Sequence, residues 1–353
     1  MVKSHNSAEC AIVAGSARAT QAAAVPRIPD LMDSRLAALE HWLAGELNGV
    51  ACQLAPASED ASFRRYFRAH LSDGRTYIVM DAPPPQEDCA PFVRVAQLLR
   101  DAGVHAPEVH AQDLAQGFLL LADLGTRTYL DALVAGDADS LMRDATDALL
   151  RWQLATRPGA LPPYDEALLQ REMALFPDWY IARHLGKTLP AERRAELQRV
   201  FALLAASALA QPKVYVHRDY MPRNLMVCEP NPGVLDFQDA VIGPITYDMI
   251  SLVRDAFLSW EEERVLDWSV RYWERAKKAS LPVDADFAEF WRALEWMGLQ
   301  RHLKVMGIFA RLTVRDGKPK YVADTPRFVA YARAVAARYA PLRPLVRLLD
   351  ELS

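Results

Sequence analysis

The 353-residue sequence predicts an α+β protein of two unequal lobes, a small mixed lobe with an antiparallel sheet and a large, mainly helical one. Three observations predict it. Between residues 50 and 122, short β-rich runs bounded by Gly and Pro surround one segment of helical pattern. From about residue 127 the pattern is helical almost to the end. A single strand–loop–strand stretch, 214–239, interrupts the helices.

Residues 33–49 (DSRLAALEHWLAGELNG) have helical periodicity, with Asp33 or Ser34 as N-cap and Gly49 past the end. FRRYFRAHL (63–71), the turn SDG (72–74) and TYIVMDA (76–82) form a hairpin, which the prolines at 83–85 terminate because proline cannot donate to a ladder. PFVRVAQLLRD (91–101) is a helix with Pro91 in its first turn and Gly103 beyond its end. VHAPEVHAQD and GFLLLADLG follow as two more strands. Further helices are expected over 127–157, 165–185, 190–210, 246–258, 261–279, 284–311 and 325–350. The organisation is therefore an extension (1–30) rich in Ala and Ser and expected to be disordered, a small lobe (31–121), a hinge (122–126) and a large lobe (127–353).

Composition narrows the function. The net charge of −4 singles out neither nucleic acid nor an anionic membrane as partner. No apolar run approaches the roughly 18–20 residues of a spanning helix. Cys10, Cys52, Cys89 and Cys228 are not spaced as metal ligands or as a disulfide framework, which reads as scattered thiols in a reducing compartment. The expectation is a cytoplasmic monomer acting on a small molecule. Residues 1–30, poor in acids, leave a transit peptide as the alternative.

The chemistry is concentrated in VYVHRDYMPRNLMVCEPNPGVLDFQD (214–239). His217, Arg218, Asp219 and Asn224 match the kinase catalytic-loop pattern His-Arg-Asp-x-x-x-x-Asn, and Asp236, seventeen residues after Asp219, ends an apolar run where kinases place a metal-binding Asp. Phosphoryl transfer needs an oriented acceptor hydroxyl, a proton acceptor, and divalent metal to neutralise phosphate charge. Asp219 is the expected base, and Asn224 and Asp236 the expected ligands of Mg²⁺, with ATP as donor. Protein kinases follow this Asp with an activation loop and an Ala-Pro-Glu motif. Here FQDAVIGPITYDMISLV reaches a helix within about ten residues, so a small acceptor is expected rather than a peptide.

With these residues in place, the sequence resembles the aminoglycoside phosphotransferase/choline kinase superfamily, which implies a protein-kinase-like two-lobed fold. SFRRYF (62–67), VMDAPP (79–84), DLAQGFLLLADLG (113–125), FPDWYIARHLG (176–186), HRDYMPRNLMV (217–227) and LQRHLKVMGIFARL (299–312) look like its bacterial branch of anomeric amino-sugar kinases of peptidoglycan recycling. That resemblance, from about residue 33 to the C-terminus, implies ATP-dependent phosphorylation of N-acetylmuramate and N-acetylglucosamine at the anomeric hydroxyl. It also implies structural support from His217 and from Asp248, which braces the catalytic loop; the other reading of Asp248 is a plain acid at a helix N-terminus. A kinase for another small acceptor of aminoglycoside, choline or homoserine type, or an inactive nucleotide-binding regulator, are the alternatives.

The chain departs from the kinase pattern at the phosphate grip. The third-strand Lys is replaced by Met80 or Asp81, no lysine lies between Lys3 and Lys187, and the facing helix has Phe92 and Val93 where a Glu would pair with it. Arg64, Arg65 and Arg68, assisted by Ser62, are the candidate phosphate contacts, against the alternative of a solvated basic strand. Leu121 to Asp123 are expected to supply main-chain hydrogen bonds to adenine. For the acceptor, Arg301, Lys304, Arg311 and Arg315 fall within about 80° on one helix face, pointing either to ion pairs inside the lobe or to an acceptor cleft. With Asp316 the only acid between 296 and 320, against six Lys or Arg, a polycationic acceptor is disfavoured. Trp179 and Tyr180 are placed either on a sugar face or in the core, and Arg223 beside Asn224 is a further acceptor candidate.

Overall fold

A computed structural model of the chain describes residues 28–59, 63–135 and 138–352. The expected extension therefore lies outside the described residues except at 28–30, which are helical. The chain divides into two compact units, one ending at Val50 and one spanning Ala51–Ser353. In the first, α1 (Ile28–Glu46) starts earlier than its periodicity indicates. It ends in a turn where Gly49, at φ +74°, donates its N–H to the Ala44 carbonyl.

The second unit opens with a five-stranded antiparallel sheet: β1 (Cys52–Glu59), β2 (Arg65–Leu71), β3 (Thr76–Asp81), β4 (Val109–Asp113) and β5 (Phe118–Ala122), in the order β1-β2-β3-β5-β4. β1 is a strand that sequence reading did not delimit, because Pro56 and the small residues of CQLAPASE weaken its β signal. The β2–β3 hairpin turns at Gly74 (φ +88°), and the Asp73 carboxylate accepts the Arg75 N–H at 3.0 Å. β4 starts only at Val109, after Pro107. Between β3 and β4 lies α2 (Ala90–Asp101), whose Phe92, Val95 and Leu99 pack in one core with Met80, Leu119 and Leu121.

The rest is helical. The segment expected as one helix over 127–157 is two, α3 (Tyr129–Ala135) and α4 (Ala138–Leu154). A reciprocal cap starts α3: the Thr128 hydroxyl accepts the Asp131 N–H, and the Asp131 carboxylate accepts the Thr128 N–H. The expected helix 165–185 is α5 (Glu166–Leu175) running into a π-helix (Phe176–His184), a geometry that apolar periodicity does not distinguish from α. α6 (Ala191–Ala210), α7 (Tyr247–Val253), α8 (Glu262–Lys278), α9 (Phe287–Val314), α10 (Thr325–Arg338) and α11 (Arg343–Leu352) complete the lobe.

The interrupting stretch is not one hairpin. β6 (Lys213–Val216) pairs with β9 (Val241–Pro244), and the short β7 (Leu225–Met226) pairs with β8 (Gly233–Val234) between them. This nesting brings the ends of β6, β7 and β8 together, so residues far apart in sequence share one place.

The central α9 approaches α5 at Gly307. A Cβ there would lie 2.4–2.5 Å from the main chain and Cβ of Leu175, which only backbone movement could relieve. Gly307→Ala is expected to lower stability by about 1–3 kcal/mol or more, read as a fall in thermal midpoint; an unchanged midpoint would contradict this packing.

Candidate active site

The three expected catalytic side chains lie on three loop ends. Asp219 follows β6, Asn224 precedes β7 and Asp236 follows β8. The Asn224 side-chain amide donates to the Asp219 main-chain carbonyl at 2.9 Å and to the Asp236 carboxylate at 3.1 Å, which joins the Asp219 backbone to the side chains of Asn224 and Asp236. Gln238 Nε2 donates to the other Asp236 oxygen at 3.0 Å, a partner that sequence reading missed. Asp219 is half-buried and Asp236 exposed.

The loop is held from behind. Asp248, fully buried in the first turn of α7, accepts the main-chain N–H of His217 at 2.7 Å and of Arg218 at 3.0 Å. Burial pushes its carboxyl up to about 7, opposed by those two N–H groups and by Arg301. Because both oxygens accept N–H donors, the geometry suits the carboxylate. His217 is buried and accepts the Asp219 N–H on Nδ1; burial lowers its imidazole to about 4, so it is a neutral packing group.

Arg218 (φ +77°) and Asp236 (φ +62°) adopt the left-handed conformation that non-glycine residues seldom hold without compensation. For Arg218 the compensation is a buried network. Its guanidinium donates to Glu172 on α5 at 2.6 Å. Lys304 on α9 meets the same carboxylate at 3.0 Å and donates to the Tyr247 hydroxyl at 3.1 Å. Tyr164 and Gln300 complete the set on Glu172. Lys304 and Arg218 hold Glu172 down at about 2 despite its burial, and both are within electrostatic reach of Asp219. Glu172 was legible only as an acid on the apolar Leu169–Met173–Phe176 face.

This network answers the question left by the basic helix stripe. Lys304 is an internal ion pair. Arg301, 1 % exposed, neighbours Asp248 and Asp255 from inside the lobe, which corrects its reading as an acceptor contact. Arg315 pairs with Asp316 at the surface, and only Arg311, half-buried beside them, keeps the acceptor reading. Arg223 is exposed, with its guanidinium 5.1 Å from the Phe257 ring. Trp179 is half-buried in the π-helix under Arg183, while Tyr180 stacks between Phe176 and His184.

In the small lobe, Ser62 lies outside the described residues. Arg65 is paired to buried Asp81, its cross-strand neighbour, on the sheet face opposite Met80. Arg68 makes a two-point contact with Asp123 (2.7 and 3.1 Å) and donates to the Gly125 carbonyl, so Asp123 is a clamp on Arg68 by its side chain. Leu121 lies within β5, buried and paired to both β3 and β4, so its main chain belongs to the sheet; this corrects its assignment to adenine. Arg64 pairs with Glu87 at 3.8 Å.

Residues 53–296 match the model of the phosphotransferase enzyme family. The chain belongs to that family. As a phosphotransferase it is 55 % identical over 330 residues to the N-acetylmuramate/N-acetylglucosamine kinase of Pseudomonas putida, covering 91 % of this chain and 97 % of the relative. It is 58 % identical over 300 residues to the same-named kinase of Pseudomonas aeruginosa, covering 85 % and 88 %. Among solved structures, the streptomycin–ATP–APH(2")-IIa ternary complex superimposes with a TM-score of 0.54 at 14 % identity, covering 86 % of this chain and 97 % of that one. At that identity the likeness establishes the fold, which is the protein-kinase-like one of this phosphotransferase family.

Proposed function

We propose that this phosphotransferase moves the γ-phosphate of ATP to the anomeric hydroxyl of N-acetylmuramate and N-acetylglucosamine. The observation that carries the reading is the junction of Asp219, Asn224 and Asp236 through one amide, in a chain half or more identical over most of its length to kinases named for those sugars. The lobes at 31–121 and 127–353, with 122–126 as hinge, are part of the same proposal.

Asp219 accepts the hydroxyl proton as the sugar oxygen bonds to the γ-phosphorus. The bond from that phosphorus to the bridging oxygen breaks, and ADP leaves. Asn224 and Asp236 are the Mg²⁺ ligands. Among the described residues no cluster of three or more His, Cys, Asp or Glu forms a metal cage. Two oxygen ligands with one exposed carboxylate suit an ion that takes few protein ligands and completes its shell with phosphate and water. Bound there, Mg²⁺ would neutralise charge on the phosphates. Arg223, Arg311 and Trp179 are the acceptor contacts of the proposal; the two arginines suit the carboxylate of muramate. Among the described residues no helix is long and apolar enough to cross a membrane.

The deciding experiment incubates the protein with ATP, Mg²⁺ and each sugar and follows ³¹P NMR. An acid-labile sugar 1-phosphate is expected. A stable phosphate ester would move the reaction to another hydroxyl, and ATP binding without turnover would replace the enzyme with a nucleotide-binding regulator.

A further inference from the structure

We propose that Arg64, oriented by Glu87, grips the nucleotide phosphates in place of the lysine that β3 lacks. This rests on the kinase reading above and names which small-lobe arginine serves it. The strand register decides between the three. Tyr66 is opposite Met80 and Arg68 opposite Ile78, and these side chains share the face that carries Leu119, Leu121 and the packed α2. Arg64 directly precedes β2, and the strand's alternation carried back one residue puts it in phase with Tyr66 and Arg68, while Arg65 is in phase with Phe67 on the other face. Arg65 is thus on the wrong face and is paired to buried Asp81. Arg68 is on the right face but is held beside the hinge, by Asp123 and the Gly125 carbonyl.

Arg64 is at the opposite end of β2, and a chain of contacts leads from it to the metal ligands. Its partner Glu87 accepts the Phe63 N–H at 3.1 Å, which ties the start of β2 to the loop before α2. Two residues on, Cys89 stands at the N-cap position of α2, and its thiol is within electrostatic reach of Arg64 and Glu87. Phe92, in the first turn of α2, packs on Phe237 with ring centroids 4.7 Å apart, and Phe237 directly follows Asp236. In the usual kinase arrangement a helix glutamate orients the strand lysine. Here the helix position is spent on an aromatic contact with the Asp236 loop. The carboxylate has moved to the loop just ahead of the helix, and the cation to the start of the neighbouring strand. Cation and carboxylate are displaced together, which keeps the pair neutral. The 3.8 Å separation is longer than the contacts of Arg65 and Arg68. A guanidinium presents its donors in a planar fork that matches phosphate oxygens.

Calorimetric titration with ATP in Mg²⁺, and separately with adenosine, tests this. Arg64→Ala is expected to weaken ATP by about ten- to a hundredfold while adenosine binding stays within about twofold. Arg64→Lys should recover part of the loss. Glu87→Gln should raise the KM for ATP more than it lowers kcat, because it loosens the grip without removing it. Arg75→Ala, in the exposed hairpin turn, is the control for removal of one positive charge. Should Arg64→Ala fail to fold, Arg64→Gln keeps the aliphatic stem and carries the same expectation. ATP affinity within twofold of wild type in the folded alanine or glutamine variant would overturn the assignment and leave the kinase reading standing. Wild-type protein binding adenosine as tightly as ATP would overturn both.

Discussion

Replacing Asp219 by Asn is expected to lower kcat by roughly 10²–10⁴-fold, the range for removal of a positioned general base, with ATP and sugar affinity little changed. The hydrogen bonds that hold the loop at this residue run through its main chain: its N–H donates to His217 and its carbonyl accepts from Asn224. An amide side chain of the same shape leaves both intact and removes only proton acceptance. ADP release under saturating substrates measures the loss, and thermal unfolding confirms that the fold is retained. A folded Asp219→Asn enzyme retaining more than a tenth of wild-type turnover would take the base role away from this residue.

The second large effect belongs to Glu172, buried behind the catalytic loop against Arg218 and Lys304. Among the described residues, it is the carboxylate that Arg218 and Lys304 share. Glu172→Gln takes the counter-charge from buried Lys304 and leaves Arg218 with the exposed Asp239, 4.0 Å away; breaking a buried pair this way costs about 3–5 kcal/mol. A fall of several degrees in thermal midpoint is expected. Turnover should fall too, because Arg218 holds its left-handed conformation one residue before Asp219. The pH dependence has a definite sign. Glu172 is depressed to about 2 in the folded protein, below the ordinary carboxylate value. Its stabilisation is therefore fully present above about pH 4.3 and is lost as pH falls toward 2. The variant should lack that part of the acid slope. Denaturant unfolding across this range measures it, and parallel slopes for wild type and variant would place the stabilisation elsewhere.

What was legible in sequence was local. The candidate triad was legible because Asp219, Asn224 and Asp236 stand at fixed spacings after apolar runs, and strand ends are where loops can aim polar groups. The β2–β3 hairpin followed from its turn chemistry and α2 from its flanking Pro and Gly. The limits were as physical. Apolar periodicity did not reveal that Phe176–His184 winds as a π-helix, nor that Val214–Val216 pairs with 241–243 rather than with the nearer Gly233–Val234. Both depend on what lies across the core.

By itself, then, the sequence determined the kind of chemistry, because a phosphoryl-transfer loop needs particular residue types at particular spacings along one chain. Tertiary structure alone decided which charges pair with which. Arg64, Arg65 and Arg68 look alike in sequence, yet strand alternation and distant carboxylates send each to a different partner: Glu87, Asp81 and Asp123. Arg301 and Lys304 read as a basic stripe pointing either to ion pairs inside the lobe or to an acceptor cleft, until the fold sets Asp248 and Asp255 near Arg301 and pairs Glu172 with Lys304. Charge interacts through space rather than along the chain, so the partner of a cation is set only once the fold has brought its acids near.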